Sequence, residues 1–126
     1  MKLFTKLALV ATGLSLSLNA LADPVGTWRT IDDKTGKPKS LVKITLESGK
    51  YVGRIQKLLG ESGNVCVNCE GSLKDKDISG KTILWGVVSE GGNKYGGGKI
   101  MDPKNDSTYS VSLTDHGSSM VVRGYK

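Results

Sequence analysis

Along residues 40–47, SLVKITLE, apolar Val42, Ile44 and Leu46 alternate with Lys43, Thr45 and Glu47. Along 108–114, TYSVSLT, Tyr109, Val111 and Leu113 alternate with Thr and Ser in the same way. A period of two marks a strand with one face in a core and the other in water. Less regular apolar runs at GTWRTI (26–31), KYVGRIQKLL (50–59), KTILWGVV (81–88), YGGGKIM (95–101) and SMVVRGYK (119–126) predict five more strands. The stretches between them, DDKTGKPK, ESGK, SEGGN, DPKND and DHGS, are built from turn-forming residues. No stretch carries a convincing helical period. Seven strands joined largely by hairpin-length connections predict an all-β antiparallel meander that curls into a sandwich or barrel. Gly53, Gly86 and the run Gly96 to Gly98 fall inside the strand patterns, where a small barrel needs a bend or a bulge.

Residues 1–22, MKLFTKLALVATGLSLSLNALA, have a different pattern. Lys2 and Lys6 precede an apolar run rich in Leu, Ala and Val, and Ala20, Leu21 and Ala22 form an A-x-A cleavage site. Those are the three parts of a secretory signal peptide, and the run is too short and too often interrupted to span a bilayer. Two regions are therefore expected: a leader over 1–22 that is removed, and one small domain over 23–126. The domain would be soluble and exported, periplasmic or secreted, with no membrane span. Its length allows one modest core.

The full chain carries a formal charge of +6, which falls by two when Lys2 and Lys6 leave with the leader. The remaining lysines are scattered, with few aromatics among them, so no nucleic-acid footprint is present and a solvated surface explains them. No catalytic constellation stands out. The single histidine, His116, lies in the turn sequence TDHGSS, and no G-x-S-x-G elbow singles out a serine nucleophile. The acidic pairs Asp32/Asp33, Asp75/Asp77 and Asp102/Asp106 lie in loops, where carboxylates bind local amides. SGKT (79–82) has the end of a phosphate-binding loop, but Asp75 stands where the first glycine is required and a strand follows where a helix is needed. The protein is expected not to be an enzyme and to need no cofactor or metal.

Cys66 and Cys69, the only cysteines, stand in NVCVNCEG (64–71). Their spacing serves a redox centre, half a metal site or a staple across a turn. A redox centre wants a βαβ setting that this pattern lacks, and a structural zinc site wants four ligands. Residues i and i+3 of a β-turn lie within about 7 Å, inside the reach of a disulfide. Export to an oxidising compartment favours that bond. So short a loop adds little global stability, and its effect would be local.

The segments DPVGTWRT, VCVNCEG, ISGKTILWGV, GGGKIMDPKNDSTYSVSL and MVVRGYK are spread over nearly all of residues 23–126. Through them the chain resembles the domain of unknown function 2147 family of small exported bacterial proteins. The resemblance implies a lipocalin-like barrel, with Gly26, Thr27 and Trp28 as the G-x-W that opens its first strand. It implies no reaction and no catalytic residues. Members of that family continue past the RGY strand into a further strand of G-R-T-x-x-W type, whereas this sequence reads only to Lys126. The expected fold is thus a small antiparallel lipocalin-like β-barrel without its last strand, unless the sequence continues further.

A small barrel has room for one ligand. The leading expectation is a non-catalytic binding protein holding a small apolar or amphipathic molecule, with Trp28, Tyr51, Trp85 and Tyr109 as candidate contacts, although aromatics in a small domain are mostly core. The alternative is a cell-envelope module that binds or inhibits a protein through its loops or an edge strand.

Overall fold

The computed structural model describes residues 3–9, 23–60 and 63–126 of the full chain. Among the described residues there are eight strands: β1 (Leu3–Leu9), β2 (Gly26–Asp32), β3 (Pro38–Glu47), β4 (Lys50–Leu58), β5 (Thr82–Gly91), β6 (Lys94–Asp102), β7 (Ser107–Asp115) and β8 (Ser119–Tyr125). A three-residue 3-10 turn, Gly71–Leu73, is the only helical element among the described residues. Each strand pairs antiparallel with its neighbours in sequence, and β1 also pairs with β8, which closes the barrel. This is the up-and-down architecture of lipocalin-like barrels.

All seven predicted strands are present as β2 to β8, with ends shifted by a few residues. They form one continuous curled sheet, and β1 bridges its two edges. The place expected to lack a closing strand is taken in this structure by β1. Lys2 and the expected cleavage site Ala20 to Ala22 lie outside the described residues.

Alternation explains the interior. Val42 and Ile44 of β3, Tyr109, Val111 and Leu113 of β7, and Met120 and Val122 of β8 point into one core with Trp28, Leu84, Val87, Tyr95 and Ile100. Burying a side chain of this size contributes about 1.5–3 kcal/mol. Leu46 departs from the predicted face: it is 53 % exposed, beside the tight β3–β4 turn where the barrel ends.

Glycines bend the sheet where β5 crosses β6. The register of β6 against β7 shifts between Gly96 and Lys99, and Gly86 on β5 has φ of 71°. A Cβ on Gly98 would lie 2.7 Å from both Gly86 C and Val87 N and would also strike the Trp85 carbonyl, so only glycine fits this approach.

Candidate functional site

Because the strands alternate in direction, one end of the barrel gathers the β2–β3 turn, the long connection 59–81 between β4 and β5, and the β6–β7 turn. At this end lies a cavity of about 440 Å³, within the usual range for small-molecule sites. Each strand of the continuous sheet contributes to its wall, among them Val42, Ile55, Leu84, Ile100, Leu113 and Val122. The wall is therefore mainly aliphatic.

The described part of the connection, 59–60 and 63–81, forms the roof. Its core is a small hairpin: Val65 bridges Asp77, the Cys66 amide donates to the Lys76 carbonyl at 2.8 Å, and the Asp75 amide donates to the Cys66 carbonyl at 2.9 Å. Asn64 Oδ1 accepts the Leu58 amide at 2.8 Å and fixes where the chain leaves β4. Cys66 and Cys69 are joined in a disulfide with Cα atoms 5.4 Å apart, in agreement with the staple read from their spacing. Cys69 is buried against Ile55 and Ile78, forming a second apolar cluster under the roof. The roof is tied on two sides, by the Leu59 amide to the Lys39 carbonyl and by the Glu70 amide to the Lys104 carbonyl, both at 2.9 Å.

Polar groups are few and grouped. Inside, the hydroxyls of Thr30 and Ser40 lie 2.7 Å apart and both residues line the cavity while nearly excluded from water. At the rim stand Asp32, Lys39, Asn68, Asp102 and Lys104. The Asp32 carboxyl is held below the usual range because it accepts the amides of Thr35 and Lys34, with the charges of Lys39 and Lys104 adding to the effect. Asp102 accepts the Lys104 amide in the matching turn. Both carboxylates do the turn-fixing expected of loop aspartates. A guest here would meet aliphatic wall in the interior, hydroxyls midway and charge at the rim. Among the described residues, no group of three or more His, Cys, Asp or Glu is placed to hold a metal ion, and no helix is long and apolar enough to cross a membrane.

None of the four aromatic candidates lines this cavity. Trp28 belongs to the core at the other end, where its indole N–H donates to the Pro24 carbonyl at 2.7 Å. Tyr51 and Tyr95 meet edge to face near that end, centroids 5.4 Å apart. Tyr109 is core, its hydroxyl accepting from Asn105 Nδ2 at 3.1 Å. Trp85 is 37 % exposed on the outer face. The residues that sequence reasoning passed over are Thr30, Ser40 and the roof residues Val65 to Cys69 and Ile78. A hydroxyl two residues from Trp28, and another two residues from Val42, were the available signal: small polar groups at inward positions of alternating strands.

The family model described as an uncharacterized protein conserved in bacteria, DUF2147, matches residues 26–126. Comparison with curated proteins and with solved structures finds no significant match.

Proposed function

We propose that the chain, which belongs to this bacterial DUF2147 family, is a non-catalytic binding protein that holds one small apolar or amphipathic molecule in the barrel cavity. The observation that carries the reading is the roughly 440 Å³ aliphatic cavity with its paired hydroxyls and charged rim under a stapled roof. An apolar body would sit against Ile55, Leu84 and Ile100, with any polar end towards Thr30, Ser40 or the rim. The leader-like residues 1–22 and the disulfide support an exported, periplasmic or secreted setting.

The test is native mass spectrometry of the protein purified from an expressing bacterium, compared with the denatured spectrum. Extra mass of a few hundred daltons in the native spectrum alone is the expected result. A bare native mass that stays bare on incubation with a panel of lipids and apolar metabolites would sink the reading. The second reading, an envelope module that binds or inhibits a protein through its loops, is favoured by one feature, the exposed Val65 and Val67 on the disulfide-stapled roof.

A further inference from the structure

The roof is attached to the barrel through two residues that also carry charge. The Lys39 carbonyl accepts the Leu59 amide and the Lys104 carbonyl accepts the Glu70 amide, both at 2.9 Å. Lys39 stands at the start of β3 and Lys104 in the β6–β7 turn, and both line the rim of the cavity. The main chain that latches the roof on two sides therefore places one ammonium group beside each latch.

Those ammonium groups are uncommitted. Among the described residues the ion pairs join Arg54 to Glu47 and Lys74 to Asp75, and neither Lys39 nor Lys104 has a side-chain partner. The rim carboxylates are differently placed: Asp32 accepts the amides of Lys34 and Thr35, and Asp102 accepts that of Lys104. The Asp32 carboxyl, held below the usual range first by the Thr35 and Lys34 amides, is lowered further by the charges of Lys39 and Lys104, so both cations face one region of the mouth. Asn68, in the disulfide loop of the roof, lines the same rim, and its side-chain amide has no partner among the described residues. A guest at the mouth thus meets free donors from three segments of the chain, while the acceptors there are occupied by turns.

We infer that the guest of this cavity is a single-chain amphiphile with an anionic head, a carboxylate or a phosphate ester, and that the head binds between Lys39, Lys104 and Asn68. The inference rests on the reading of the cavity as a binding site. A cavity of about 440 Å³ lies in the lower part of the range for small-molecule sites, which suits one chain and not two. Charge-assisted hydrogen bonds are the stronger kind, and an anion that makes them to both lysines joins the two points where the roof meets the barrel. The head then fastens the roof over its own tail.

The test compares probes that share one tail and differ in head: dodecanoate, dodecyl phosphate, dodecanol and dodecyltrimethylammonium, each below its micelle concentration, displacing an apolar fluorophore from the purified full chain. One of the two anions should bind at least about fivefold more tightly than dodecanol, and the tighter of the two names the head. The same anion should slow hydrogen exchange at the Leu59 and Glu70 amides more than dodecanol does. The variant Lys39→Gln, Lys104→Gln should lose the anion's advantage while its affinity for dodecanol stays within about twofold of the unaltered chain. Both side chains are exposed and the latches are main-chain bonds, so the variant should keep its fold. Dodecanol binding as tightly as both anions, or dodecyltrimethylammonium binding tightest of all, would overturn the head assignment and leave the cavity reading standing. An anion advantage that survives in the double variant would overturn it too, by placing the head elsewhere. Failure of all four probes to bind would sink the cavity reading itself, and this inference with it.

Discussion

The amide of Glu70 donates to the carbonyl of Lys104 at 2.9 Å, tying the disulfide loop to the β6–β7 turn across the cavity mouth. Glu70 follows Cys69 directly, so the staple and the latch are neighbours in the chain. The Cys66–Cys69 loop is short, and chain entropy assigns its closure only about 2 kcal/mol. Reduction, or the pair Cys66→Ser and Cys69→Ser, should lower unfolding free energy in urea by no more than that. Hydrogen exchange at the Glu70 and Asp75 amides should rise well beyond any change in β3 or β7, and a bound guest should leave faster. Uniform loosening of the whole barrel would show that the bond serves global stability instead.

Gly98 and Gly36 make a controlled pair. Gly36 has φ of 72° in an open turn with nothing near its Cβ position, so Gly36→Ala meets only backbone strain of about 1–2 kcal/mol. Gly98→Ala drives a methyl into the backbone of β5, which cannot move without breaking the β5–β6 pairing. Overpacking of this kind costs about 1–3 kcal/mol and sometimes more. Denaturant midpoints should therefore rank the native chain above Gly36→Ala and Gly36→Ala above Gly98→Ala. The reverse order of the two variants would refute the close approach of the strands.

The Tyr51 and Tyr95 hydroxyls titrate above their ordinary value. Burial is the main cause for each; the nearby Asp23 and Asp115 charges add to the effect on both, and the neighbouring Tyr51 adds to that on Tyr95. Their folded-state values exceed the unfolded value near 10, so the native state holds its protons longer than the unfolded chain. Their stabilisation is complete below about pH 10 and is lost as pH rises through the folded values. Ultraviolet difference titration should show Tyr51 and Tyr95 ionising late, and stability should fall above pH 10. With Tyr51→Phe the late signal should shrink while the alkaline loss becomes shallower.

The strands were legible because alternation reports directly which face is buried. The set Val42, Ile44 and Tyr109, Val111, Leu113 is the core the pattern predicts. Trp85 was not legible, since KTILWGVV is apolar at successive positions and the kink at Gly86 shifts which residues face inward. Only the register of β5 against β6 sends Leu84 and Val87 in and Trp85 out. The cavity was hidden for a related reason. Its roof is a connection whose fold depends on contacts with the Lys39 and Lys104 carbonyls, distant in sequence and carrying no side-chain signature. The role of Leu3–Leu9 was hidden too, because an apolar leader and an apolar strand share one composition.

Whether the cavity or the exposed aromatic is the site can be settled with two substitutions. Ile100 is buried and lines the cavity, so Ile100→Phe can direct its added volume into the void. Such a change should cost less than about 1.5 kcal/mol, because the new ring enters space that is empty instead of displacing packed atoms. It should weaken retention of the guest at least about tenfold, since a guest and the ring compete for the same volume. Trp85→Leu, on the outer face, should change stability by roughly 0.5 kcal/mol and leave retention unaltered. Both are read by native mass spectrometry and by displacement of an apolar fluorophore from the purified protein. If Trp85→Leu empties the protein and Ile100→Phe does not, binding occurs on the outside of the barrel, and the roofed cavity is packing space without a guest.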